Sequence, residues 1–325
     1  MCRLAPLLTA SAMLVTLLLS LSAAPPAGVA SSAEDEKALQ AAKIRTDTPA
    51  LLDYLRQRTL WDTEHERITH LVRQLGDDAF KVRYQAMNDL LAVGPPALPF
   101  LRRALNDPDE EAKERARECL ATLEKTAKPT QSAAVVRLLR QRAPAEAVSV
   151  LLAFLPDAAN ETVEEEILHT LAVLGVSDGK VAPTLVTALQ DKQPARRGAA
   201  ALVVGRSGAT EQRKAAQVLL ADPDRGVRFR AAQGQLAGRD RSGVAVLIAL
   251  LAEGPLDRAI AAEDLLTCLA GPRSPRLVVT DDPGMRKRCH DAWASWWRVA
   301  NKMDLSRADL DLPPFNPTLR IRLVA

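Results

Sequence analysis

Apolar residues recur along most of the chain at the spacing of amphipathic helices. After Asp78, Asp109, Asn160, Pro194 and Asp224, apolar positions follow at i, i+3, i+4 and i+7. This spacing places them on one face of an α-helix. A second segment with the same spacing precedes each of these turns. The pattern therefore predicts a chain built from pairs of helices.

The turns within these pairs return at regular intervals. Asp77, Asp107, Asp157, Asp191 and Asp222 each lie in a turn, and they are 30, 50, 34 and 31 residues apart. The long interval holds one additional predicted helix near 131–141. Asp and Pro in such turns end one helix and cap the next. A single pair cannot bury its apolar face alone, so repeated pairs are expected to stack into an array.

Glycines mark the ends of the second helices. Gly94, Gly175, Gly205 and Gly238 each follow a predicted second helix, where glycine is the preferred C-terminal cap. Together with the Asp turns, they define six pairs between residues 62 and 271.

The repeat resembles the HEAT repeat, and its short form resembles the HEAT-like repeats of phycobilin lyases. The segment 222–232 carries the resemblance best, followed by 107–116 and 78–86. The resemblance implies an all-α fold, a right-handed α-solenoid of about six HEAT-like helix pairs closed by a C-terminal capping helix. It implies little about function, because such repeats mostly serve as interaction scaffolds.

The resemblance also implies a ladder in which a turn Asp binds an Arg of its own or the adjacent repeat. An Asp at this position also caps the N-terminus of the second helix. The expected pairs are Asp78 with Arg83, Asp107 with Arg115, Asp191 with Arg197, and Asp222 with Arg230.

Composition and charge agree with packed helices. Aromatic residues make up only 3% of the chain, which is unfavourable for the strands of a sandwich or barrel. Lys and Arg number 43 against 40 Asp and Glu, giving a net charge of +3. This balance does not favour nucleic-acid binding as the main function.

The N-terminus has the order of a secretory signal peptide. Arg3 precedes the apolar run 4–21, and small residues follow. The preferred cleavage site is Gly28-Val29-Ala30, with Ser22-Ala23-Ala24 as the alternative. An uncleaved N-terminal anchor remains a second interpretation, because the run approaches the length of a membrane span. No membrane span is expected in the mature chain, which would be periplasmic, envelope-located or secreted.

These signals divide the chain into five segments. They are a signal peptide (1–30), an N-terminal helical lead-in (31–61), the HEAT-like array (62–271), a linker with a Trp-rich capping helix (272–301) and an extended Pro-containing tail (302–325).

Candidate chemistry is sparse. His65 and His70 are five residues apart, whereas two zinc ligands on one helical face require a spacing of four. Cys289 and His290 are adjacent and lack the spaced partners of a zinc site. The run 164–166 of three Glu residues is expected to be a solvated helix face. We therefore predict no catalytic, cofactor-binding or metal-binding residue, no cofactor and no small-molecule substrate.

Three cysteines remain after the predicted cleavage. Cys119 and Cys268 are expected on apolar faces of helices that lie far apart in the array, and Cys289 is the third. An odd number without regular spacing indicates small buried residues rather than a disulfide.

Two features are candidate partner-binding surfaces. Arg196, Arg197, Arg206, Arg213 and Lys214 lie in a basic stretch and are expected to form a positive patch. The second feature is the helix 284–301, which contains Trp293, Trp296 and Trp297. Its tryptophans are interpreted first as the cap of the array, and alternatively as a binding hot spot.

The sequence thus predicts an exported, non-catalytic scaffold that binds an unidentified protein or envelope component. A phycobilin-lyase-like enzyme is one alternative, suggested only by the repeat subtype. Binding of nucleic-acid backbones by a basic surface is another. The predicted export and the balanced charge disfavour both.

Overall fold

The computed structural model describes residues 32–105, 107, 109–126 and 131–301. The predicted signal peptide and Pro-containing tail lie outside these residues. The described chain is an all-α, HEAT-like solenoid, as predicted. Its helices are α1 (Ser32–Ala41), α2 (Thr48–Arg56), α3 (Asp62–Arg73), α4 (Phe80–Val93), α5 (Leu98–Ala104), α6 (Glu110–Thr126), α7 (Ser132–Arg142), α8 (Ala147–Phe154), α9 (Glu161–Leu174), α10 (Pro183–Thr187), α11 (Pro194–Ser207), α12 (Thr210–Val218), α13 (Arg225–Ala237), α14 (Val244–Glu253), α15 (Leu256–Ala270) and α16 (Pro283–Ala300). A short antiparallel hairpin, β1 (Val176–Ser177) and β2 (Lys180–Val181), follows α9.

The second helices of the pairs stack in one continuous row. α1, α7, α9, α11, α13 and α15 each pack against the next member of this row. The helices α8, α10, α12 and α14 each pack on the second helix that follows them in sequence. The core lies between the two layers of helices, so each pair buries its apolar face on its own partner and on its neighbours.

The first helices of the chain do not lead into α3 but join the array beside α7 and α8. α1 packs on α7, and α2 packs on both α7 and α8. Arg137 Nε donates to Asp35 Oδ2 at 2.8 Å, and Arg142 Nη2 donates to Glu36 Oε1 at 2.6 Å. The additional helix expected near 131–141 is α7. Its partner α2 lies before the first predicted repeat, so the repeat pattern contains no partner for α7.

Helices α3 to α6 therefore form an insertion between α2 and α7, called here the inserted module. It has its own hydrophobic core, in which Ile68, Leu75, Leu90 and Leu101 are fully buried. The array has a separate core that runs from Leu39 through α7 to α13. The inserted module is thus a packed body of its own within the compact unit to which the described residues belong.

Helices α11 and α13 approach each other through glycines. A Cβ atom on Gly234 would lie 2.6 Å from the carbonyl oxygen of Ala201, and one on Gly205 would lie 2.9 Å from the Gly234 carbonyl carbon. The expectation that Gly205 ends its helix is wrong, because α11 continues to Ser207 and its C-cap is Gly208. Gly205 serves the helix contact instead.

The C-terminal helix packs across the end of the described array. α16 contacts α14, and the ring of Trp293 is fully buried with Leu247 and Leu266 in the last hydrophobic cluster. Trp296 and Trp297 are only partly buried, and the Trp296 ring meets Trp293 edge-on with centroids 5.4 Å apart. The predicted apolar face of this helix is therefore turned toward the array.

The described cysteines do not all follow the expected pattern. Cys119 and Cys289 are buried, and burial raises the pKa of the Cys119 thiol to about 11. Cys268 is exposed, so its predicted place on an apolar face is wrong. Among the described residues, none of the helices combines the length and the hydropathy that a membrane span requires.

Candidate functional site

A groove of about 760 Å³ lies where the inserted module meets the array. One wall comes from α5 and the residues after it, including Arg102, Arg103 and Asp107. The other wall comes from the turns before α9, α11, α13 and α15 and from the first residues of these helices. It is concave and lined by charged side chains, and it is therefore the candidate site.

The array wall is made of helix N-termini preceded by proline-containing turns. Pro156, Pro194, Pro223 and Pro255 all line the groove. Pro194 is the first residue of α11, where its fixed φ is favourable, and the other three lie in the turns before α9, α13 and α15. The N-terminus of α13 is capped by Asp224 Oδ1, which accepts from Val227 N at 3.0 Å. Asn160 caps α9 in the same way. The positive ends of four helix dipoles are therefore at this wall.

Asp157 joins the inserted module to the array. Its Oδ2 accepts a hydrogen bond from the backbone N–H of Leu60 at 3.0 Å. Its Oδ1 lies 3.1 Å from Nε2 of His65, and both side chains are almost fully buried. Arg103 Nη2 also crosses this joint and donates to the Pro156 carbonyl oxygen at 2.9 Å. These contacts hold the module wall in place. His65 is not predicted as a metal ligand, and its sequence context gives no signal for this contact.

The floor of the groove carries an ionic network around the buried Arg230. Arg230 Nη2 on α13 reaches Glu164 at 3.1 Å and Glu165 at 2.6 Å on α9. It passes α11 at Gly198, where an added Cβ would lie 3.5 Å from the Arg230 Cγ. Arg258 on α15 lies 3.8 Å from Glu164. The network therefore links α9, α13 and α15 across the intervening helix.

The network shifts the titration of its members. Desolvation raises the pKa of Glu164, but the charges of Arg230 and Arg258 outweigh it and hold the pKa below its usual range. Desolvation lowers the pKa of Arg230, but the charges of Glu165 and Glu164 raise it by more. The pKa of Arg230 therefore lies above its usual range. Both shifts favour the ionised pair.

Two of the four expected ladder pairs, Asp107 with Arg115 and Asp222 with Arg230, are not formed. Arg230 binds Glu164 and Glu165 rather than Asp222. Asp222 instead accepts from Arg197 Nε at 2.9 Å, a contact between adjacent repeats. Arg115 pairs with Glu111 rather than Asp107.

A different, repeated contact replaces the predicted one. The Arg six residues after the turn Asp donates to two main-chain carbonyl oxygens of the turn. Arg83 donates to the carbonyls of Asp77 and Asp78, Arg197 to those of Asp191 and Lys192, and Arg228 to those of Asp222 and Pro223.

The carboxylates of these turns bind main-chain amides. Asp77, Asp107, Asp191 and Asp222 each accept from the N–H two residues later at 2.8–2.9 Å. At Asp78 and Asp191, the predicted arginine binds the main-chain carbonyl oxygen and not the side-chain carboxylate. The turn Arg binds the turn's backbone, and the carboxylate is used for the start of the next helix.

The five residues of the predicted basic patch do not form one surface. Arg196 donates to the Leu152 and Ala153 carbonyls, and Arg197 binds Asp222. Arg206 is exposed near the other end of α11, about 15 Å away along the helix axis.

The remaining two residues of the patch lie on α12. Arg213 Nη1 donates to the Gly238 carbonyl at 3.3 Å, and Lys214 is exposed and pairs with Glu211. The predicted patch therefore separates into two distant groups.

The glutamate run 164–166 was assigned incorrectly to a solvated face. Glu164 and Glu165 bind Arg230, and Glu166 binds Arg140 at 2.8 Å and Arg137 at 3.3 Å. Sequence spacing alone does not signal this pairing, because the arginine partners lie on other helices. The described residues contain no group of three or more His, Cys, Asp or Glu side chains arranged to hold a metal ion.

Comparison with known proteins identifies the repeat type. Residues 148–237 match the family of HEAT repeats. The matched stretch contains α9, α11 and most of the array wall of the groove. The predicted HEAT repeat is thereby confirmed for this part of the chain. No curated protein matches the chain.

Proposed function

We propose that the protein is an exported, non-catalytic scaffold whose groove binds a segment of another protein. HEAT repeats commonly serve as protein-interaction scaffolds. The groove between the inserted module and the array is the observation that carries the proposal. It combines accessible apolar side chains such as Pro194 and Pro223 with charged groups of both signs, as protein-binding surfaces do.

The absence of enzyme activity is part of the proposal. The ionic groups of the groove floor are bound to one another, and its turn carboxylates are bound to helix N-termini. A nucleophile, a general base and an orienting group would have to converge at one position. The groove instead presents arginines, prolines and helix caps.

Export rests on the N-terminal sequence alone. The positive start, the apolar run 4–21 and the small residues before Ser31 together have the character of a signal peptide. N-terminal sequencing of the native protein is expected to give a start near Ser31. An intact Met1 on a soluble cytoplasmic species would refute the proposed location.

Site-specific photocrosslinking tests the groove as the binding surface. A benzophenone amino acid replaces Arg225, an exposed residue of the array wall, in one variant. In the matched control it replaces Val218, which is 73% exposed on α12 and does not line the groove. We expect one discrete protein adduct from position 225 in cells and none from position 218.

Equal adducts at both positions, or an adduct only at position 218, would overturn the groove as the site. Adducts confined to position 225 support the scaffold function without identifying the chemistry that the groove recognises.

A further inference from the structure

The array wall of the groove is carried by four consecutive second-row helices. The helices α9, α11, α13 and α15 each pack against the next one, and the turns before them contribute to the lining of this wall. Packed helices lie about 8–10 Å apart, so a flat row would separate α9 from α15 by about 24–30 Å. The geometry of the wall therefore depends on how strongly this row is curved.

A contact between the two outer helices shows that the row is curved at its groove edge. Arg258 is the third residue of α15, and Glu164 is the fourth residue of α9. Arg258 Nη2 lies 3.8 Å from Glu164 Oε1. An arginine and a glutamate side chain together are much shorter than the separation expected in a flat row. The N-terminal ends of α9 and α15 therefore converge.

Arg230 spans the same edge from the helix between them. It lies on α13, and its Nη2 is 3.1 Å from Glu164 and 2.6 Å from Glu165 on α9. Its side chain passes α11 at Gly198, where an added Cβ would lie 3.5 Å from the Arg230 Cγ. Both arginines thus join helices that are not neighbours in the row.

One aromatic ring places the two arginines together. The guanidinium carbon of Arg230 lies 5.5 Å from the ring centroid of Phe229, and that of Arg258 lies 5.7 Å from it. Both distances are within the range of favourable cation–π contacts. Phe229 is itself only 3% exposed, so its position is fixed by packing. The ring therefore holds both guanidinium groups beside the same glutamates.

Flattening of the row would separate these charges. Two guanidinium groups face two carboxylates, and Arg230 is buried. A buried charge that loses its partner is costly, because neither water nor another ion compensates it. The network therefore resists any movement that takes the N-terminal ends of α13 and α15 away from α9.

We infer that this network is an ionic clasp that fixes the curvature of the array at its groove edge, formed by Glu164, Glu165, Arg230 and Arg258. The two arginines are then positioning residues of the groove wall. The competing explanation is that the close packing of α11 on α13 through Gly205 and Gly234 fixes the curvature by itself. The inference rests on the proposed function for the role of the groove, but the clasp can be tested without a partner.

Double electron–electron resonance between two spin labels measures the curvature. The labels are attached through Thr162→Cys on α9 and Ile260→Cys on α15, which are exposed positions near the groove edge. The exposed Cys268 is replaced by Ser, whereas Cys119 and Cys289 are buried and do not react with the label. The mean distance between the labels then reports how far α9 and α15 are apart at this edge.

Arg258→Met is the decisive variant, because it removes the contact between α15 and α9 but keeps an apolar side chain beside Phe229. We expect the mean distance to increase by about 4–5 Å, half of one helix-to-helix step. Arg230→Met should increase it at least as much. Arg206→Met, at an exposed position of α11 outside the groove, is the matched control and should leave the distance unchanged. Circular dichroism confirms that each measured variant is folded.

An unchanged distance in Arg258→Met would overturn the clasp and assign the curvature to the glycine contact between α11 and α13. An equal increase in Arg206→Met would overturn it as well, because loss of any surface charge would then have the same effect. The distances are measured on the protein alone, and the photocrosslinking adduct at position 225 is measured in cells. The clasp and the scaffold function therefore fail separately.

Discussion

At the scale of single residues, Arg230 determines how the groove floor is held together. Its side chain is 7% exposed and reaches past Gly198 to two glutamates on α9. A side chain at position 198 longer than that of Ala would obstruct this path. Arg230 therefore connects repeats that are not neighbours, in addition to the contacts that each pair makes with the next.

Removal of Arg230 tests this connection. Arg230→Ala is expected to lower the free energy of unfolding by about 1–3 kcal/mol, because Glu164 and Glu165 lose their buried partner. Urea denaturation followed by circular dichroism measures the change. The control Arg206→Ala, at an exposed site, should stay within about 0.5 kcal/mol. Equal, negligible changes in both variants would show that the network does not stabilise the array.

The lowered pKa of Glu164 predicts acid sensitivity. A carboxyl whose folded-state pKa is depressed stabilises the protein above its unfolded pKa and loses this contribution as pH falls through the folded pKa. The ordinary value for Glu is 4.5. The urea midpoint of the parent should therefore fall more steeply below about pH 4.5 than that of Glu164→Gln. Parallel pH profiles for the two proteins would contradict the assignment.

Residue partners in this protein could be predicted only in part. The turn aspartates were recognised as helix caps, and Asp77, Asp107, Asp191 and Asp222 do bind backbone amides. Arg83 and Arg197 do bind the predicted Asp78 and Asp191, but through main-chain carbonyls. The other partners differ, because a long guanidinium side chain can reach carbonyls of its own turn or acids on other helices. Sequence spacing does not distinguish these options.

At the scale of elements, the helical pattern predicted most of the array and the C-terminal helix. The expected helix 284–301 is α16, Pro283–Ala300, and its buried residues are Cys289, Trp293 and Ala300. The pairing of α2 with α7 was not predicted. Their contact joins residues separated by the whole inserted module, and apolar periodicity gives the face of a helix but not the helix that covers it.

The buried tryptophan of α16 provides a test at this scale. Trp293→Ala is expected to lower the free energy of unfolding by about 3–5 kcal/mol, because it leaves a large cavity beside α14. It should also increase the binding of the dye ANS, which reports exposed apolar surface. Val299→Ala, at an 80% exposed position of the same helix, is the control and should melt as the parent does.

A Trp293→Ala protein that melts like the parent but loses its partner would favour the alternative interpretation of this helix as a binding hot spot. In that case the partly buried Trp296 and Trp297 would be the first residues to examine.

At the scale of the whole molecule, the groove exists because one part of the chain is inserted into another. The array continues from α2 to α7, and the inserted module leaves and rejoins it between these helices. The hydrophobic core of the module is separate from those of the array, and polar contacts around Asp157 join the module to the array. A polar joint of this size is weaker than either core, so the two bodies are expected to open locally with different free energies.

Asp157→Ala tests this organisation by hydrogen exchange and mass spectrometry. The substitution leaves the Leu60 N–H and His65 without their buried partner, so it weakens the joint and not the cores. Amides of α3 to α6 should exchange faster than in the parent, while those of α11 and α13 should keep their protection. Asp281→Ala, at an exposed position before α16, is the control and should change neither. Uniform loss of protection in both bodies would mean that they unfold as one unit, and that the module wall cannot move independently of the array.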